Sequence, residues 1–319
     1  MAQRKISGAA APFAPAYVQL WRSGELAQRR EQALQGLRDC DLCARYCHVD
    51  RLSSVDGAVC RAGRQAVVHS AGPHFGEERC LVGDGGSGTI FFSWCNLRCL
   101  YCQNWEISWR GEGRSVSDRA LADAMLELQA RGCHNINLVS PSHVVAQLIA
   151  ALELAVADGL RLPLVYNTGG YDSPEALALL DGIVDIYMPD MKYGDSDLAR
   201  RYSKIRDYVA VNRAAVKEMH RQVGDLTLDD AGIARRGLLV RDLVLPDGIA
   251  GSEAVLRFLA EEISPHTYVN IMDQYRPYYR AEEYPELDRG ITVDEYRAAL
   301  DAARRQGLDR LDDRRAHLW

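Results

Sequence analysis

From Gly88 onward the chain repeats one pattern, a short apolar run followed by a segment with helical periodicity. The runs lie at 88–94, 135–139, 162–166, 183–187, 238–245 and 267–271. Helical segments follow at 118–131, 142–158, 173–180, 195–203, 206–223 and 252–263, the first with Asp118 placed as a cap. Repeated strand–helix units imply parallel strands joined by right-handed crossovers. Six units fall short of the eight that close a barrel. The expected fold class is therefore α/β, an open, partial (β/α)6 TIM-like barrel.

The barrel is expected over 86–284, after an N-terminal arm, helix and cysteine-rich extension (1–85) and before a capping helix and charged tail (285–319). Within the extension, 1–16 reads as a loose Ala/Pro-rich arm and 24–38 as a helix. The last helix is expected over 292–306. The formal charge of −6 with no basic block argues against nucleic-acid binding by charge. No run approaches the ~20 apolar residues of a membrane span, and the N-terminus lacks the apolar stretch of a signal peptide. Seven of the nine cysteines fall into two tight groups, which reads as metal ligation in a reducing, cytoplasmic setting.

The second group ends the first strand: Cys95, Cys99 and Cys102, spaced Cys-x3-Cys-x2-Cys, with Tyr101 before the last. Three soft thiolates in eight residues suit an iron–sulfur cluster, and a missing fourth leaves one iron open. The bland alternative is a zinc knuckle or three unrelated buried thiols. This stretch resembles the radical S-adenosylmethionine (SAM) superfamily, and within it proteins similar to pyruvate formate-lyase activating enzyme. The resemblance implies a [4Fe–4S] cluster whose open iron binds SAM and whose electron splits it to a 5′-deoxyadenosyl radical. It covers roughly 40–280.

The first group, Cys40, Cys43, Cys47 and Cys60, can close a coordination shell around zinc or a second [4Fe–4S] cluster. The x3 step departs from zinc ribbons and leans towards iron–sulfur. His48 beside it reads as a bystander. Residues 66–85 carry His69, His74, Glu77, Glu78 and Cys80 in a Gly/Pro-containing link, a ligand set on paper but more simply structural. The resemblance continues through His74–Glu78 without naming a role. Cys80 and Cys133 read as core or incidental.

In parallel strand–helix folds functional groups gather past the strands' C-terminal ends. After the second strand the superfamily's Gly-Gly-Glu is absent, which leaves Ser140 as its stand-in for the SAM amino group; His143 is either catalytic or a helix-start residue. After the third, Asn167 and Gly169 can meet a ribose or carboxylate, or simply form a turn. After the fourth, Asp190 and Lys192 resemble the Asp-x-Lys pair beside SAM in glycyl-radical activating enzymes. Arg241 and Asp242 on the fifth suit a carboxylate clamp or a buried pair. The segment 272–280, dense in Tyr and Arg, either grips a substrate or partner loop or packs the rim.

Three functions follow. The resemblance implies an activase that abstracts hydrogen from a glycine of a partner glycyl-radical enzyme, fed by a reductant such as flavodoxin or ferredoxin. The same chemistry could act on a small molecule or peptide, with the four-cysteine site as auxiliary centre. A non-enzymatic electron carrier or metal-bound scaffold would not need the groups at 167–171 and 190–192.

Overall fold

The computed structural model describes residues 13–312; positions 1–12 of the expected arm (1–16) and positions 313–319 of the expected tail lie outside the described residues. The strands are β1 (Ala66–His74), β2 (Ser87–Phe92), β3 (Arg114–Val116), β4 (Ile136–Val139) and β5 (Leu164–Thr168). They continue with β6 (Ile186–Pro189), β7 (Thr227–Leu228), β8 (Ala234–Leu243) and β9 (Tyr268–Met272). One run of parallel neighbours, β2-β4-β5-β6-β8-β9, accounts for every apolar run expected to be a strand. The architecture is mixed α/β with a sheet that is mostly parallel and not closed: β9 pairs with β8 and not with β2.

Two boundaries moved for physical reasons. The strand read at 162–166 begins at Leu164, after Pro163, which lacks an amide for the ladder. The run at 183–187 becomes a strand only at Ile186, because Ile183 and Val184 are buried in the turn before it. Their neighbour Asp185 accepts hydrogen bonds from the amides of Leu164 (3.1 Å) and Ala16 (3.0 Å).

The stretch at 66–85 is not merely a link. Ala66–His74 form β1, antiparallel to β2, so the sheet begins ahead of the expected boundary at residue 85. Pro73 is tolerated there because β3 covers only Ala66–Val68, leaving the outer side of Pro73 without a strand partner. The residues after β1 fill the seam between β2 and β9. Glu78 Oε1 accepts from Asn270 Nδ2 on β9 (2.7 Å). Cys80 and Leu81 pack with Val165, Ile186, Met188 and Leu239 in an inner apolar cluster. Cys80 and Cys133 are both buried core residues.

Helices cover the outside. Helix Val145–Ala157 is apolar nearly all round because helix Glu25–Gln35 packs on its outer side. A further helix, Tyr17–Ser23, begins directly after the expected arm and turns into Glu25–Gln35 at Gly24 (φ +81°). Tyr17 donates to the carbonyl of Leu162 (2.7 Å), tying this corner to the sheet. Helix Asp118–Ala130 is capped by Ser117, whose Oγ accepts from the Ala120 amide (3.1 Å). Asp118, expected as the cap, is the first helical residue, and its carboxylate pairs with Arg64 instead (2.9 Å). The terminal helix Val293–Arg305 starts with a capping box between Thr292 and Glu295.

Candidate active site

The parallel strands end on a single cavity of about 520 Å³. Cys95, Cys99 and Cys102 line it, and so do Ser140, Asn167, Gly169, Asp190 and Lys192. The topology thus brings together every residue singled out for the three-cysteine cluster and for SAM, but not the possible catalytic residue His143. That residue is buried with its Nε2 donating to the carbonyl of Ser93 (2.9 Å), outside the cavity lining. Burial, aided by the charge of Arg51, pushes its pKa down to about 3, so the ring is neutral at pH 7.

The cysteine loop is clamped from several sides. The Trp94 amide donates to Ile107 O (2.9 Å) and the Leu100 amide to Tyr202 O (2.8 Å). Asn96 Nδ2 donates to Tyr171 O (2.7 Å) and Trp109 Nε1 to Cys99 O (3.1 Å). Gly169 lets β5 approach the loop: a Cβ there would lie 2.4 Å from Leu97 Cδ1. Trp94 (φ +67°) and Ser140 (φ +57°) both hold left-handed backbone at strand ends facing the cavity, where such strain tends to concentrate.

Each of the three sulfurs receives a hydrogen bond. Leu97 N donates to Cys95 (3.3 Å), Ser203 Oγ to Cys99 (3.0 Å) and Ser108 Oγ to Cys102 (3.2 Å). Burial pushes the Cys95 thiol up to about 12 and the Cys99 thiol to about 11, so the free thiols carry their protons at neutral pH. Thiolate character must come from bound iron, and the donors are placed to stabilise it. The donor set therefore fits a cluster held by three cysteines. Among the described residues no three His, Cys, Asp or Glu side chains converge as they would around one metal ion. A cubane takes one cysteine per iron and does not ask for that convergence.

Opposite the thiols lies a charged network. Asp190 stands between Lys192 Nζ (2.5 Å) and Arg241 Nε (2.8 Å). Burial alone would raise its pKa, but the two cations together hold the carboxyl below its usual range. Arg241 also donates to Asn167 Oδ1 (2.6 Å) and lies 3.9 Å from Glu77. Its partner is Asp190 rather than Asp242, which strand alternation turns to the other face. There burial lifts the Asp242 carboxyl to about 7.

Sequence reasoning missed that His74, Glu77, Glu78 and Asn270 line this cavity. The signal was the His74–Glu78 resemblance, which lies in a Gly/Pro-containing link where no helical register brings the side chains together. His69 does not join His74: it lies outside the cavity lining, its Nδ1 3.1 Å from Glu112 O. From the segment 272–280, Met272, Gln274, Tyr275 and Arg276 line the cavity, while Tyr279 stacks on Trp105 at 5.4 Å.

Cys40, Cys43 and Cys60 are buried and Cys47 half-buried, in a loop region between helix Glu25–Gln35 and β1. His48 faces Asp39 (3.0 Å) rather than a sulfur.

Residues 89–229 match the family described as "Radical SAM superfamily". The chain is 30% identical over 283 residues to the uncharacterized protein MJ0674 of Methanocaldococcus jannaschii, covering 86% of this chain and 77% of that one. Solved structures similar to it include a radical SAM methyltransferase from Sphaerobacter thermophilus (16% identity, TM-score 0.44), with 70% of this chain and 64% of that one covered. Another is Streptococcus suis SuiB bound to precursor peptide SuiA (12% identity, TM-score 0.44), with 65% and 42% covered. This chain thus spans less than two thirds of either of these two solved chains. With the three-cysteine loop at the head of the parallel strands and inside the matched segment, residues 89–229 of this chain form a radical SAM superfamily domain.

Proposed function

We propose that this chain cleaves SAM at a [4Fe–4S] cluster on Cys95, Cys99 and Cys102, and abstracts hydrogen from a small polar molecule or a peptide. The observation that carries the reading is the single cavity shared by three hydrogen-bonded thiols, four polar strand-end side chains and Gly169. When bound, the cluster and SAM supply a primary alkyl radical. The protein's own part is to bind, orient and exclude water. Asp190 and Lys192, fixed by Arg241, offer a carboxylate and an ammonium for the hydroxyls and carboxylate of SAM; Asn167, Gly169 and Ser140 complete the wall. The open sheet is read as a partial barrel, with the cavity at the C-terminal ends of its strands as the way in for substrate.

The substrate class rests on the wall formed by Glu77, Glu78, Arg241 and Asn270. Arg241 meets Glu77 and Asp190 while Glu78 meets Asn270, and together they give the cavity a charged, polar side that suits a polar substrate. The Tyr- and Arg-rich rim at Trp105, Tyr279 and Arg276 supports the other reading, hydrogen abstraction from a glycine of a partner enzyme. Cys40, Cys43, Cys47 and Cys60 are read as a second metal site. A one-electron donor of the flavodoxin or ferredoxin class is the expected reductant.

The test is anaerobic reconstitution, reduction with dithionite and chromatography for 5′-deoxyadenosine. Its formation from SAM supports the reading; a fully loaded protein that leaves SAM intact sinks it. A glycyl-radical EPR doublet on an added partner enzyme would replace the small-molecule reading with the activase.

A further inference from the structure

The cavity has two sides, and the residues assigned to SAM occupy one of them. Ser140, Asn167, Asp190 and Lys192 come from the ends of β4, β5 and β6. Glu77 and Glu78 come from the segment after β1, and Asn270 from β9.

The segment after β1 is shaped to present its glutamates. Gly76 lies against the His74 ring, where a Cβ would come 2.6 Å from Cε1. The Glu78 carbonyl accepts from the amides of Leu81 (2.8 Å) and Val82 (3.1 Å), which fixes its backbone at the start of helix Arg79–Val82. Its side chain makes no capping bond to that helix. Instead Oε1 accepts from Asn270 Nδ2 (2.7 Å), so the carboxylate is held across the seam to β9.

Glu78 is 2% exposed, and its other oxygen, Oε2, is buried with no donor among the described residues. Charge points the same way. Among the described residues lining the cavity, the mostly buried ionised groups are three carboxylates, Glu77, Glu78 and Asp190, and two cations, Lys192 and Arg241. Lys192 is engaged by Asp190, and Arg241 by Asp190, Asn167 and Glu77. Glu78 acts on the charge of Arg241 from nearby, yet no hydrogen bond joins the two. One oxygen and one negative charge are therefore left over. A buried carboxylate in that condition is costly until a cation meets it.

We infer that Glu78 and Asn270 bind a protonated amine of the substrate, at the side of the cavity away from β4, β5 and β6. The inference rests on the proposed reading of this cavity as the site of SAM and substrate. An ammonium offers donors and no acceptor. What it meets here are acceptors: Glu78 Oε2, and Asn270 Oδ1, which is left once Nδ2 is given to Glu78. A hydroxyl in its place would leave the charge unbalanced, and a carboxylate would add to it. The substrate class is thus an amine-bearing small molecule or peptide, anchored by its nitrogen. SAM carries an amine as well, so the experiment separates the two sources.

The iron-loaded full chain is titrated in a calorimeter with n-butylammonium, butan-1-ol and butyrate, anaerobically and without reductant, first alone and then with SAM present. The expected result is that butylammonium binds, its neutral and anionic counterparts do not, and SAM leaves the binding in place. Glu78→Gln should weaken it about ten- to hundredfold, the range for a hydrogen bond to a charged group. Glu253→Gln, an exposed acid outside the cavity lining, should not. Butylammonium binding no tighter than butan-1-ol overturns the inference on the wild-type chain alone, whether or not the variants fold. Equal weakening by the two variants, or none by Glu78→Gln, also overturns it. Binding lost when SAM is present would give Glu78 to the SAM amino group and overturn the substrate subsite. No step of this titration needs SAM to be cleaved. A chain that binds the ammonium but leaves SAM intact keeps this subsite and loses the proposed function.

Discussion

The two cysteine groups share an element and almost nothing else. Cys95, Cys99 and Cys102 sit where parallel strands end, with a serine or an amide donating to every sulfur and a cavity in front. Cys40, Cys43, Cys47 and Cys60 sit among turns, outside the lining of that cavity and backed by the buried guanidinium of Arg51, 3.4 Å from Cys40 Sγ. An open site needs room and polar walls for a second ligand; a closed one needs its charge balanced and its loop fixed. Number of thiols is only the first sign of that difference. The surroundings carry the rest.

The largest expected effect breaks the comparison directly. Cys99→Ala should lower 5′-deoxyadenosine formation by more than the ~100-fold that loss of a residue behind the ligands can cost. Cys60→Ala should keep it within about tenfold of wild type. Equal losses in the two variants would mean the groups form one functional unit.

Next comes charge balance. Asp190→Ala leaves Lys192 a buried cation without its carboxylate, and Arg241 with Glu77 as its remaining ion-pair partner, and should cost about 3–5 kcal/mol of unfolding free energy in a urea titration. Arg51→Met leaves no carboxylate behind, so the metal-free chain should lose nothing of that size. A comparable loss there would point to a counter-charge other than bound thiolates.

A pH dependence separates the regions further. His143, whose carbonyl accepts from Arg51 and whose ring donates to Ser93 O, has its folded pKa depressed to about 3 against about 6.5 when unfolded. Between those values the unfolded chain binds the extra proton. Stability should therefore fall by about 1.4 kcal/mol per unit as pH drops through that window. His143→Asn should flatten this slope. Asp190 works in a different window: its depressed carboxyl contributes stability that is present above about pH 3.9 and lost as pH falls through its lower folded value. A slope unchanged in His143→Asn would place the titrating group elsewhere.

The smallest effect concerns packing. Gly169→Ala must push Leu97 away from a contact of 2.4 Å, at about 1–3 kcal/mol. It should weaken iron retention at the three-cysteine loop while leaving the four-cysteine site loaded. Parallel iron loss from both sites would mean that the two cysteine groups move as one unit.

The sequence alone determined the parallel strand–helix alternation, because a strand buried on both faces must be apolar throughout and its covering helix must be amphipathic. It also determined the cysteine spacing and the strand-end positions of Asn167, Asp190 and Lys192, since one residue after another along a strand has a fixed place. Only the tertiary structure decided that Glu77 and Glu78 face the cavity from a segment read as a link, that Arg241 serves Asp190 instead of Asp242, and that Arg51 lies against Cys40. Those are contacts between residues far apart in the chain, and local periodicity carries no information about which distant side chain will fill a gap or meet a charge.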